Sequence, residues 1–149
     1  MNLLSRRSRL AVAAVVDVAL HARPQPVAAK ALANRHNLPP RHLETLLQAL
    51  VKANILKGVR GPRGGYEHAR ERRRISAGDI VRAAMSDGFD EEEVVAESQL
   101  VREVVTPMID LAGETFLAAL DAVTVDDLCR QASERQAFDM ARDDADFTI

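Results

Sequence analysis

Pro39-Pro40-Arg41-His42-Leu43-Glu44-Thr45-Leu46-Leu47-Gln48-Ala49-Leu50-Val51-Lys52 decides how this chain reads. Two adjacent prolines suit a helix start, where the missing N–H donors have no intrahelical partner to lose. Beyond them Leu43, Leu46, Leu47, Leu50 and Val51 fall on one helical stripe and predict a buried face. The opposite face carries Arg41, His42, Glu44, Thr45, Gln48 and Lys52, side chains suited to hydrogen bonding as well as to solvent.

Upstream, a short helix is expected from Val27 to about Asn34, with Ala31 and Leu32 apolar, and Arg35-His36-Asn37-Leu38 reads as the turn. A short helix, a tight turn and a second helix with a polar outer face follow the helix-turn-helix plan, in which the second helix enters the major groove. Further upstream, Ser5 is a good N-cap. Leu10, Val12, Ala13, Val16, Ala19 and Leu20 then recur at helical spacing to about Arg23, before Pro24 and Pro26. Arg6, Arg7 and Arg9 ahead of this apolar run imitate a secretion signal, but Asp17 interrupts the run and no small-residue cleavage pattern closes it. No stretch approaches the roughly 18 to 20 apolar residues of a membrane span.

Downstream, Ile55 to Val59 reads as a strand, Arg60-Gly61-Pro62-Arg63-Gly64-Gly65 as a turn and Tyr66 to Ala69 as the returning strand. This is a β-hairpin wing with arginines at its tip. Gly64 and Gly65 are expected to supply positive φ and close approach to a phosphate, and Arg60 and Arg63 to reach a narrow minor groove. Ser76 with Asp79, stapled by Ile75 and Ile80, marks another helix start, and Thr124 with Asp127 repeats the grammar. Between them lies an acidic stretch, Asp87 to Glu97, then a long helical pattern from Leu100 to Val123 in which Pro107 marks either a helix start capped by Thr106 or a kink.

The chain is therefore expected to be mainly α with a small β-hairpin. Residues 1–86 form a winged helix-turn-helix domain, 87–99 an acidic linker, and 100–149 a dimerisation helix with a C-terminal helix or tail. Val101, Val105, Met108, Ile109, Ala112, Phe116, Ala119 and Leu120 give the long helix more apolar surface than so small a chain readily covers, so a homodimer interface is expected; an intramolecular lid is the alternative.

Charge agrees with a nucleic-acid partner. Residues 1–76 hold 15 Lys and Arg against four Asp and Glu, a net +11, while residues 77–149 hold five against 18, a net −13. The whole-chain −2 conceals this split, and the basic half suits a polyanion. Four Phe, one Tyr and no Trp leave few side chains for stacking on unpaired bases, which points to double-stranded DNA rather than single strands. There is no phosphate-binding loop, no nucleophile elbow and no recognisable catalytic carboxylate pair, so an enzyme is not expected. One cysteine, Cys129, excludes a disulfide framework, and the cytoplasm is the expected compartment.

Three segments resemble the IscR/NsrR/CymR-type winged helix-turn-helix transcriptional regulators: Leu4-Ser5-Arg6-Arg7-Ser8-Arg9-Leu10-Ala11, His42-Leu43-Glu44-Thr45-Leu46-Leu47 with Leu50, and Val59-Arg60-Gly61-Pro62-Arg63-Gly64-Gly65-Tyr66. The resemblance extends through Ile75-Ser76-Ala77-Gly78-Asp79-Ile80-Val81 and, more weakly, to Thr124-Val125-Asp126-Asp127-Leu128. It implies a homodimer, probing one major groove per subunit with the third helix and the adjacent minor groove with the wing. On that analogy Glu44 accepts from a cytosine amino group, with Arg41, Thr45 and Gln48 beside it at base edges and Arg60 as the wing arginine. Arg6, Arg7, Arg9 and Lys52 suit phosphates.

The chain departs from cluster-binding relatives, which carry three cysteines before the long helix; 87–102 here has none. No cofactor or metal is expected, because carboxylates substitute poorly for thiolates at an iron–sulfur cluster. Cys129, near a helix start where the dipole favours thiolate, is a candidate redox residue or else a small core residue. His21, His36, His42 and His68 show no ligand spacing. The expected function is a transcriptional repressor acting on an inverted repeat, answering to a small-molecule or protein effector. An atypical iron–sulfur or thiol sensor, or a regulator held by a partner such as a cysteine-biosynthesis enzyme, is the alternative. A protein-binding module without DNA binding is a further one.

Overall fold

A computed structural model of the chain describes residues 3–86 and 96–146, with side chains of the last helix described as far as Arg135. The acidic stretch expected as a linker falls, for 87–95, outside the described residues. The elements run α1 (Arg6–His21), α2 (Ala29–His36), α3 (Pro40–Lys52), β1 (Leu56–Val59), β2 (Gly65–His68), a 3-10 turn (Arg72–Arg74), α4 (Ala77–Met85), a π-helical turn (Val101–Val105), α5 (Thr106–Asp121) and α6 (Val125–Asp146). The fold is mainly helical with one antiparallel hairpin, in which Leu56 pairs with His68 and Val59 with Gly65.

α1 is the central helix, packing against α2, α3, α4, α6 and β2. Its most deeply buried face is not the Leu10, Val12, Ala13, Val16, Ala19 and Leu20 face expected from periodicity, which is only partly buried; Ala11, Ala14, Val15 and Val18 go fully inside. A helix apolar nearly all round carries no periodicity that singles out one face, and the small alanines are what permit close approach by its neighbours. Ser5 caps it as expected, accepting from Ser8 N at 3.2 Å.

The second helix starts later and runs further than expected. Val27 is withheld from it because its N–H and C=O both pair with Tyr66, at 2.9 and 2.8 Å, adding a bridge to the hairpin. Its end moves to His36, and Asn37 closes it in the left-handed region at φ 51°. In α3, Leu43, Leu46, Leu47 and Leu50 are buried as the stripe requires, whereas Val51, about 100° round from Leu50, is 39% exposed.

Both capping boxes form. Ser76 Oγ accepts from Asp79 N at 3.0 Å while Asp79 accepts from Ser76 N at 3.1 Å; Thr124 and Asp127 reciprocate at 3.1 and 3.0 Å. The two caps lie back to back, with Ala77 N donating to Val123 O and Val125 N to Ile75 O at 2.8 and 2.9 Å. That pairing returns the chain to its first part, and Val125 and Cys129 join the core of α1, α3 and α4.

Pro107 does mark a helix start, in the first turn of α5, but without the expected Thr106 cap. No side chain caps α5, and Thr106 N donates to Val101 O, closing a wider π turn immediately before the proline. A π turn is where a helix absorbs a residue that cannot donate in the usual register.

Candidate nucleic-acid interface

The wing and the recognition helix owe their geometry to different devices. α3 begins at Pro40 after the Asn37 turn, so its first turn projects Arg41, His42 and Glu44 into solvent, followed by Gln48 and Lys52; all five are exposed. Thr45 is half-buried, and its hydroxyl donates back to His42 O at 3.1 Å, leaving oxygen lone pairs and the methyl group outward. The helix thus presents donors at Arg41 and Lys52, an acceptor at Glu44 and both at Gln48, the mixture that reads base edges.

In the wing, Arg60 and Arg63 are exposed and have no ion-pair or hydrogen-bond partner among the described residues. The glycines act differently from expectation. Only Gly61 takes positive φ, at 123°. A Cβ on Gly64 would overlap the Val59 carbonyl oxygen, and one on Gly65 would stand 2.8 Å from Ala28 N and closer still to the Val27 carbonyl. Both are required by backbone packed against them within the chain.

The N-terminal ends of α1 and α3 converge: Arg6, Arg7, Leu10, Leu38, Pro39, His42 and Leu46 line a cavity of about 340 Å³ between them. Arg6 and Arg9 are exposed. Arg7 is half-buried and its Nε donates to Ala84 O at 3.3 Å, so this guanidinium satisfies the carboxyl end of α4 as well as facing the cavity. The structure therefore gathers Arg6, His42 and the α3 row, with the wing arginines on the neighbouring hairpin.

Sequence reasoning missed an ionic cluster built on one buried carboxylate, with exposed Arg35 and His21 and half-buried His36 around it. Asp17, only 6% exposed, accepts from Arg35 through Nε at 2.8 Å and Nη2 at 2.6 Å, and from His36 Nε2 at 2.8 Å. His21 Nδ1 lies 3.1 Å from the same carboxylate. Burial pushes the Asp17 carboxyl up, but the hydrogen bonds from Arg35 and His36 and the charges of Arg35 and His21 outweigh it and hold it below the ordinary value. The signal was present as an acidic residue inside an apolar helix; its partners lie 18 and 19 residues away, beyond any local pattern. His68 is likewise no ligand: its Nε2 donates to Val15 O at 2.9 Å.

Cys129 is 3% exposed, and burial pushes its thiol up, with Arg72 opposing and Asp126 adding. Of its two expected readings the small core residue holds, and the dipole-lowered thiolate does not: the residue lies past the first turn of α6, in the core. Among the described residues no three His, Cys, Asp or Glu side chains gather as a metal site would. With its sole thiol in the core, this donor set does not fit an iron–sulfur cluster. No described helix is long and apolar enough to cross a membrane.

Comparison with known proteins agrees with the geometry. A family model, Rrf2, described as an iron-dependent transcriptional regulator, matches residues 4–131. A Synechocystis protein named as an HTH-type transcriptional regulator is 34% identical over 136 residues, 90% of this chain and 92% of the relative. IscR of Vibrio atlanticus is 37% identical over 87 residues, which are 58% of this chain and 50% of that protein. Among solved structures, T. potens IscR superposes with TM-score 0.69 at 32% identity, covering 91% of both chains. CymR of B. subtilis, described as the global cysteine regulator, gives 0.64 at 27% identity over 88% of this chain and 98% of its own. With a helix-turn-helix, a wing and a family match over most of its length, the chain belongs to the Rrf2 family of DNA-binding transcriptional regulators.

Proposed function

We propose that this regulator is a homodimeric repressor that binds an inverted-repeat operator in double-stranded DNA and works without an iron–sulfur cluster. The observation that carries the dimer is α5, none of whose residues is buried in the protomer. Met108, Ile109 and Leu111 on it, with Leu100 and Val104 just before, are 57–66% exposed. Val101, Val105, Phe116 and Leu120 are half-buried, and Ala112 and Ala119 are exposed. An apolar face of this extent is unfavourable in water, and a second copy related by two-fold symmetry covers it. Such a pair presents two α3 helices to half-sites about one helical turn, roughly 34 to 36 Å, apart, and a dimer seated across a promoter blocks its use.

The test is selection of genomic DNA fragments by the purified protein at near-physiological salt, followed by sequencing, with sedimentation to count subunits. An enriched inverted repeat bound by two copies supports the proposal. No enrichment, or one copy per site, overturns it. Metal analysis after anaerobic purification addresses the cluster: stoichiometric iron with visible charge-transfer absorption would overturn the cluster-free reading.

A further inference from the structure

The candidate base readers sit on α3, whereas Arg6 and Arg9 sit on α1, and Asp17 of α1 holds the end of α2, the helix that leads into α3. Its partners Arg35 and His36 are the last two residues of α2, so only Asn37 to Pro39 separate them from α3. That connection has little slack: Asn37 is in the left-handed region and Leu38 N donates to Ala33 O at 3.0 Å. Val15 and Val18 of α1 also share one apolar core with Leu32 and Leu47 of the helix-turn-helix. Apolar burial is non-directional and tolerates a sliding contact, while a carboxylate held by a guanidinium fork fixes direction as well as distance.

We propose that Asp17 is a positioning residue for sequence recognition: by holding Arg35 and His36 it sets the register of α3 against the phosphate contacts of α1. The inference rests on the DNA-binding reading above. Sequence-specific binding needs base readers and phosphate contacts in register at once, whereas non-specific binding depends mainly on the number of cations offered. Asp17→Asn releases the fork and also removes one negative charge, so it is expected to lower the specific affinity without lowering the non-specific one. A variant that merely loosens the fold lowers both.

The experiment uses the full chain and two fluorescent duplexes of equal length, the fragment recovered by selection and a shuffled version of it, with thermal melts in parallel. Asp17→Asn is expected to weaken the selected fragment about tenfold, the size of a lost charge-assisted contact, while the shuffled fragment binds equally or up to about twofold tighter. Arg35→Lys keeps the charge but loses the fork and is expected to show the same loss of preference; it decides the matter if Asp17→Asn fails to fold. His36→Gln retains an N–H donor and is expected to keep the preference within about twofold. The proposal is overturned if folded Asp17→Asn and Arg35→Lys proteins keep the wild-type preference, or if both fragments weaken in parallel. A wild-type protein that does not distinguish the fragments would overturn the operator reading itself, and this inference with it.

Discussion

Arg82 of α4 grips Asp121 at the end of α5 through both guanidinium nitrogens, Nη1 to Oδ1 at 2.6 Å and Nη2 to Oδ2 at 2.8 Å. Gly78 leaves the room for it, since a Cβ there would overlap the Asp121 carboxylate. The pair is exposed, so it governs how α5 is tethered more than how stable the core is. Arg82→Ala is expected to speed hydrogen exchange across residues 106–121 while the melting temperature barely moves. Unchanged exchange there would mean that the fork is incidental.

The back-to-back caps predict coupling. Ser76→Ala and Thr124→Ala are each expected to destabilise by about 1 kcal/mol in urea denaturation, the usual loss for an N-cap hydroxyl. Because the two caps share backbone hydrogen bonds, the double variant is expected to depart from additivity by at least about 0.5 kcal/mol. Strict additivity would show that each helix start responds alone.

Two wing glycines should behave in opposite ways. Gly65→Ala forces its Cβ into the Val27 backbone and is expected to destabilise by about 2 to 3 kcal/mol, with loss of the Val27–Tyr66 bridge. A Cβ on Gly58 would meet nothing within 4 Å, so Gly58→Ala is expected to stay within about 0.5 kcal/mol of wild type. Equal effects at the two sites would refute the steric account.

His68 gives stability a pH dependence of determined sign. Burial pushes its imidazole below the ordinary 6.5, opposed by the Val15 carbonyl and reinforced by Arg72. Between that lowered value and about 6.5 the unfolded chain binds more protons than the folded one, so stability rises with pH across this window and levels off on either side. The slope from one such group is at most about 1.4 kcal/mol per pH unit. His68→Gln, which keeps an N–H donor for Val15 O, is expected to flatten the melting temperature between pH 5 and 7 relative to wild type.

Replacing both wing arginines tests the DNA face directly. Arg60→Ala with Arg63→Ala is expected to leave the melting temperature unchanged, because neither side chain has a partner among the described residues. The slope of log affinity against log salt should fall by about 1.8, two phosphate-level contacts. An unchanged slope would place the wing off the DNA.

The chain's order carried much of this molecule openly. The proline pair and leucine stripe of α3, the Gly-Pro-Arg-Gly-Gly turn and both capping boxes are short-range devices, each complete within a few residues, so their physics is legible in order of sequence. The faces of α1 were not, because an almost wholly apolar helix has no polar side to mark what stays in water. No local pattern shows that Arg7 also donates to Ala84 O, or that Val27 fills the space a Cβ on Gly65 would need.

By itself the sequence determined the helix-turn-helix, the wing, the helix starts capped by Ser5, Ser76 and Thr124, and the concentration of positive charge in residues 1–76. Tertiary structure decided that Asp17 is a buried anchor, that Cys129 is core, and that no residue of α5 is fully buried in the protomer. The division follows the range of the forces: hydrogen bonds of caps and turns close over three or four residues, whereas burial and ion pairing depend on which distant segments the chain folds together.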